Sequence, residues 1–100
     1  MNRDETIAAI KSALRRRSGH AWSVTGGRGT AYGWITIAPL PRERKDPELR
    51  AARIAELSQL LDKTVHHQGE LIPASRDYRR EYVDRAEGRP PSVSGHPYWD

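Results

Sequence analysis

Near the middle of the chain, three aromatic rings and a guanidinium fall within thirteen residues of one another: Trp22, Arg28, Tyr32 and Trp34. Exposed rings on which bases can stack, with arginine beside them to meet the backbone, are the ingredients of a platform for single-stranded nucleic acid. The same rings serve equally well as core, because each large ring taken out of water stabilises by a few kcal/mol at about 25 cal/mol per Å². Tyr78, Tyr82, Tyr98 and Trp99 are available to cover them. A second core built from these two groups of rings is the more economical expectation, and the platform is its rival.

The other candidate groups are less complete. His66-His67 with Glu70 is the one cluster of metal-ligand types. Neighbours on an extended strand face opposite sides, and Gly69 disfavours the helix that would align His66 with Glu70, so no metal site is expected. His20 and His96 stand alone and read as ordinary polar contacts. Gly26-Gly27-Arg28-Gly29-Thr30 invites comparison with phosphate-cradling loops. It lacks the Lys-Ser or Lys-Thr that follows the last glycine of a P-loop, and it runs into a strand rather than a helix. Ser75 with Asp77 has no histidine at a useful spacing and fits a helix cap better than a nucleophile. Cysteine is absent, which removes disulfides, thiolate zinc sites and a cysteine nucleophile together. The expectation is therefore no enzyme, no cofactor and no catalytic residue.

Charge supplies the remaining hint. The formal net charge is +4, with much of the excess at Lys11 to Arg17 and Arg42 to Lys45. A basic balance raises the prospect of a polyanionic partner. Arg15, Arg16 and Arg17 also fall where a helix dipole favours cations, which is a sufficient structural reason for them. The candidate nucleic-acid contacts are accordingly Arg15, Arg16, Arg17, Arg28, Tyr32 and Trp34.

These groups must be positioned by a small body. One hundred residues, 36% of them apolar and 30% charged, suit a single domain over residues 1–100 with a small core and a polar surface. A helix is predicted from about Asp4 to Arg17, where Asn2 and Glu5 fit a capping box, Ile7, Ile10 and Leu14 share a face, and Ser18-Gly19 stops the run. Strands follow at about Ala21 to Thr25 and Thr30 to Ala38, joined as a hairpin by the glycine loop. Alternation places Tyr32, Trp34 and Thr36 on one face of the second strand, with Ile35 and Ile37 on the other, facing the first helix.

Pro39-Leu40-Pro41 ends that strand, and Arg42 to Lys45 reads as a charged connection. Asp46-Pro47-Glu48 opens a second helix that runs to about Leu61 or Lys63. Thr64 to His67 and Leu71-Ile72 look extended, and Ser75 caps a short helix from about Arg76 to Glu87 that Gly88 ends. The last dozen residues are irregular, yet Val93, Tyr98 and Trp99 suit an ordered tail that packs back on the body. The fold expected is α+β: helix, β-hairpin, helix, a short extended segment, a short helix, and that tail on a small antiparallel sheet. No apolar stretch opens the chain or is long enough to span a bilayer, so a cytoplasmic protein with no membrane association is expected.

The helix ending Leu14-Arg15-Arg16-Arg17, the Trp22-Ser23-Val24 strand and the Tyr32-Gly33-Trp34-Ile35-Thr36-Ile37 strand together resemble a domain family associated with large polyvalent proteins of phages and conjugative elements. The whole chain also resembles small uncharacterised bacterial proteins that share the Trp22 to Ala31 stretch and the Tyr98-Trp99-Asp100 ending. Departures are plain, since Trp34-Ile35-Thr36-Ile37-Ala38 stands where the polyvalent domain usually has Trp-Thr-Asp-Gly-Pro, and the last 60 residues have no clear counterpart there. The resemblance implies a fold and a mobile-element setting, and it carries no functional residue across. Two functions are consistent with all of this: a noncatalytic accessory protein that binds nucleic acid through a basic and aromatic surface, or a protein-interaction module using an aromatic patch and the tail.

Overall fold

The first helix, α1 (Arg3–Ser18), begins because two orphan backbone amides are satisfied reciprocally. In the computed structural model, which describes residues 2–94, the Asn2 side chain accepts from the Glu5 amide at 2.8 Å while Glu5 accepts from the Asn2 amide at 3.0 Å. It ends at Gly19, whose positive φ of 83° turns the chain and lets its amide reach the Arg15 carbonyl at 2.8 Å. Thr6, Ile10, Ala13 and Leu14 form the buried stripe. Thr6 is tolerated there because its hydroxyl donates to the Asn2 carbonyl at 2.8 Å.

Strands β1 (Ser23–Gly26) and β2 (Ile35–Ala38) pair antiparallel, with Val24 opposite Ile37 and Thr25 opposite Thr36. A third strand, β3 (Glu70–Ile72), adds to the other side of β2, giving an open sheet in the order β1-β2-β3. The strands are shorter than expected. Residues 27–34, read from the sequence partly as strand, form a connection with a 3-10 turn over Gly29–Ala31, closed by the Tyr32 amide on the Gly29 carbonyl at 3.1 Å. Gly27 permits the tight fold, since a β-carbon there would lie 2.0 Å from the Ala31 carbonyl oxygen. Tyr32 therefore does not share a strand face with Trp34 and Thr36.

The charged connection after β2 contains a helical turn of its own, α2 (Pro41–Arg44), tied to the next helix by Glu43 and Arg53 at 3.1 Å. Helix α3 (Pro47–Leu61) starts on the Asp46 cap, which accepts from the Glu48 and Leu49 amides, and stops at Asp62 in a left-handed conformation. Val65 is buried and its amide donates to Ser58 at 3.1 Å. His66 and Gly69 form only an isolated bridge, so the short strand begins at Glu70 instead of Thr64. Helix α4 (Arg76–Ala86) is capped by Ser75. The chain then folds back, with Arg89 and Ser92 both bonded to Asp84. Among the expected tail contacts, those of Tyr98 and Trp99 lie outside the described residues.

One face of the sheet is covered by helices. Val24, Ile35, Ile37 and Ile72 pack with Ile10 and Leu14 of α1, Leu57 and Leu61 of α3, and Tyr82, Val83 and Ala86 of α4. Trp22 joins this cluster at 2% exposure, its indole N–H donating to Ser18 Oγ at 3.0 Å. The opposite face presents a row of Thr25, Thr36 and Leu71, paired side by side. The chain is thus a small α+β domain with helices on one side of a three-stranded antiparallel sheet. No helix of the described residues is long and apolar enough to cross a membrane.

Two polar clasps hold the helices in this arrangement. The C-terminal carbonyls of α3 and α4 converge, and Arg17 Nη1 donates to Leu60, Arg85 and Ala86 oxygens at 3.0, 3.2 and 2.8 Å. Arg85 Nη1 in turn donates to the Leu61 and Asp62 carbonyls at 3.0 and 2.9 Å. Cations at these positions answer both the orphan carbonyls and the negative ends of the helix dipoles. Deeper in, the Tyr82 hydroxyl donates to Glu70, and Lys63 Nζ lies 2.7 Å from that hydroxyl and 2.9 Å from the same carboxylate.

Candidate functional site

The exposed chemistry gathers where the loop after β1 meets the beginnings of α1 and α4. Tyr32 is 59% exposed and Trp34 is 38% exposed. Arg3, in the first turn of α1, reaches across and donates from Nη1 to the Gly27 carbonyl at 3.0 Å and the Tyr32 carbonyl at 2.9 Å. Its guanidinium carbon then sits 3.8 Å from the centre of the Tyr32 ring. This is a cation–π contact, and it fixes the ring against the loop with one face on arginine. Arg79, one turn into α4, donates from Nη2 to the Gly33 carbonyl at 3.3 Å and pins the loop from the other side.

Asn2, Arg3, Asp4, Tyr32 and Arg79 line a shallow cavity of about 350 Å³. Arg3 Nε and Arg79 Nε are buried without a hydrogen-bond partner. For Arg3 the nearest compensation is electrostatic, from Asp4 Oδ1 at 3.5 Å, on a carboxylate that is itself mostly in water. The site can offer a ring for stacking and two fixed guanidinium groups.

Of the residues singled out from the sequence, Tyr32 lies at this cavity and Trp34 close by in the chain. The Gly27 amide donates to the Trp34 carbonyl at 2.8 Å, which continues the β1–β2 ladder. Strand alternation from the inward Ile35 then sets Trp34 on the outer sheet side with Thr36. Arg28 is exposed in the loop. Trp22, counted among the platform rings, is core. Of the rings expected to cover that face, Tyr82 is a member of the helix-side cluster and Tyr78 packs against it, while Tyr98 and Trp99 lie outside the described residues.

Arg15, Arg16 and Arg17 stand at the opposite end of α1 from Arg3. With 12 to 14 residues between and a rise of about 1.5 Å per residue, the separation is roughly 20 Å. Arg17 is moreover engaged by the ends of α3 and α4. The arginines that do lie at the rings, Arg3 and Arg79, carry no sequence signal of their own, since each reaches the loop through contacts between residues 24 to 46 positions apart.

Among the described residues no three His, Cys, Asp or Glu side chains are grouped to hold a metal ion. Glu70 is buried and engaged by Tyr82 and Lys63. His66 accepts from the Gln68 amide at 3.2 Å, and His20 pairs with Glu56 at 2.8 Å. Comparison with protein-family models, with curated proteins and with solved structures gives no match to this chain.

Proposed function

We propose that this protein is a noncatalytic accessory protein, acting in the cytoplasm, that binds single-stranded nucleic acid by stacking an unpaired base on Tyr32. The observation that carries the reading is the Tyr32 ring, largely open to solvent and held by Arg3 on one face. A ring preorganised in this way loses little freedom when a base stacks on it, and its arginine neighbours favour a ligand of negative charge. The net charge of +4 works in the same direction.

The test is fluorescence anisotropy with labelled single-stranded DNA, single-stranded RNA and duplex. The single strands are expected to bind more tightly than the duplex, with affinity falling as salt rises. Tyr32→Ala should weaken single-strand binding by about 1–3 kcal/mol, roughly fivefold to 150-fold, while leaving the circular dichroism spectrum unchanged. Equal affinity of Tyr32→Ala and the parent protein would refute stacking. A second reading draws on the outer sheet face, where Leu71 is 53% exposed beside Thr36 and near Trp34. An apolar patch there suits a protein partner. A defined complex that survives nuclease treatment and is lost in Leu71→Glu, but not in Tyr32→Ala, would favour it.

A further inference from the structure

We infer that the face of α4 carrying Arg76, Arg79 and Arg80 is a phosphate track that continues the Tyr32 site, so that the ligand is a single strand of several nucleotides and not an isolated base or nucleotide. This inference rests on the reading of Tyr32 given above and adds where the backbone of the strand runs.

The spacing i, i+3, i+4 sets these three arginines on one face of the helix. They line one groove of about 310 Å³ together with Val83 and Asp84. Arg79 lines both this groove and the Tyr32 cavity, so the two are neighbouring stretches of one surface. Arg76 and Arg80 are exposed, and among the described residues no carboxylate lies within ion-pair distance of Arg76, Arg79 or Arg80. The one acid in the groove is already occupied. Asp84 takes Arg89 Nη2 at 2.8 Å on one oxygen and the amide and hydroxyl of Ser92 at 2.9 Å on the other.

Three guanidinium groups side by side without an internal counter-charge repel one another, and that repulsion is relieved by an anionic ligand. Arg76 and Arg80 are separated by a helical rise of about 6 Å, which suits successive charges along an extended chain better than a single anion. Guanidinium forks match phosphate oxygens in shape as well as charge. A base on Tyr32 must be unpaired to stack, so the phosphates that follow along α4 belong to a single strand.

The experiment compares the 100-residue chain with Arg76→Ala/Arg80→Ala and with Tyr32→Ala. Binding of a labelled oligothymidylate of about a dozen nucleotides is followed from about 20 to 200 mM salt, with thymidine monophosphate as a second probe and polyglutamate as competitor. Thermal melting establishes that the double variant folds, as expected for two exposed side chains. The double variant should flatten the slope of log affinity against log salt by about 1.4, two contacts at about 0.7 each, and leave monophosphate binding unchanged. A slope that does not move, while Tyr32→Ala still weakens binding, overturns the track and leaves the stacking site standing. Absence of any oligothymidylate binding at low salt overturns both. Polyglutamate that displaces the oligonucleotide at equal charge, through Arg76 and Arg80 but regardless of Tyr32, would assign the groove to an acidic peptide and overturn the inference as well.

Discussion

Replacing Arg17 by methionine keeps most of the aliphatic stem and removes the guanidinium that joins three helices. Nη1 carries two hydrogens and faces three carbonyls at 2.8–3.2 Å, so two full hydrogen bonds are lost, one of them shared. For two bonds at a net of about 0.5–1.5 kcal/mol each, plus about 0.3–1 kcal/mol from the helix dipoles, the sum is about 1.3–4 kcal/mol. The group is exposed, and water can reach the carbonyls left behind, so about 1.5 kcal/mol is the expected loss. The guanidinium also covers Gly88, where even a β-carbon would come within 3.1–3.3 Å of it, so a neighbour is withdrawn from the end of α4. For a domain of this length the melting temperature should fall by about 6–12 °C. The control is Arg15→Met and Arg16→Met, which remove the same charge from the same helical turn but from side chains that, among the described residues, do not share the Arg17 bonds to the ends of α3 and α4. Each should shift stability by less than about 0.5 kcal/mol. Thermal and urea unfolding followed by circular dichroism measures all three. If Arg17→Met melts with the parent protein, or if the two controls fall as far, the clasp is not what holds the ends of α3 and α4, and the basic cluster acts only through its summed charge.

Two pH dependences follow from buried polar groups. The Ser92 amide, with Arg89 and the Ser92 hydroxyl, holds the Asp84 carboxyl below the usual carboxylate range. Its contribution to stability is therefore complete above the unfolded value near about 3.9 and is lost as pH falls through the lower folded value. Asp84→Asn should show a smaller loss of urea stability between about pH 5 and pH 2 than the parent, and parallel curves would refute the assignment. Burial first, then the hydrogen bond to Glu70, pushes the Tyr82 phenol well above its ordinary value. A phenol raised in this way stabilises the fold at pH values below the ordinary tyrosine range, and this stability is lost as pH rises beyond about 10, where the unfolded chain ionises. Tyr82→Phe should lose less stability than the parent between about pH 9.5 and 11.5. Equal losses would mean that the Tyr82 hydroxyl is not held neutral by the core.

The sheet and the loop show where local reading stops. Inward and outward residues of β2 follow from alternation alone, and Ile35 and Ile37 are buried as their spacing requires. Extending the same alternation back to Tyr32 fails, because the Gly29–Ala31 turn interrupts the strand, Gly29 opening it at a positive φ of 59° and Gly27 leaving room for the Ala31 carbonyl. Propensity treats Tyr32 and Trp34 as strand formers. Tertiary contacts from Arg3 and Arg79 hold this stretch in another shape.

Helix boundaries were decided within a few residues of themselves. Asn2 with Glu5, Asp46 with Pro47, and Ser75 each satisfy orphan amides one turn away, and Gly19 and Gly88 reverse the chain with positive φ, so the amino-acid order alone sets where α1, α3 and α4 begin and where α1 and α4 end. Which rings are core and which are free was decided over distances no local pattern records. Trp22 and Tyr32 are equally suited to either place. What separates them is that Trp22 lies against the helices with its N–H on Ser18, while Tyr32 is carried outward on a turn fastened by arginines from α1 and α4. Arginine choice has the same origin: Arg17 meets the Ala86 carbonyl 69 positions away, and Arg79 meets Gly33 across 46. A guanidinium looks alike in sequence whether its partner is a helix end, a loop carbonyl or a phosphate, and only the packing of the helices determines which of these it meets.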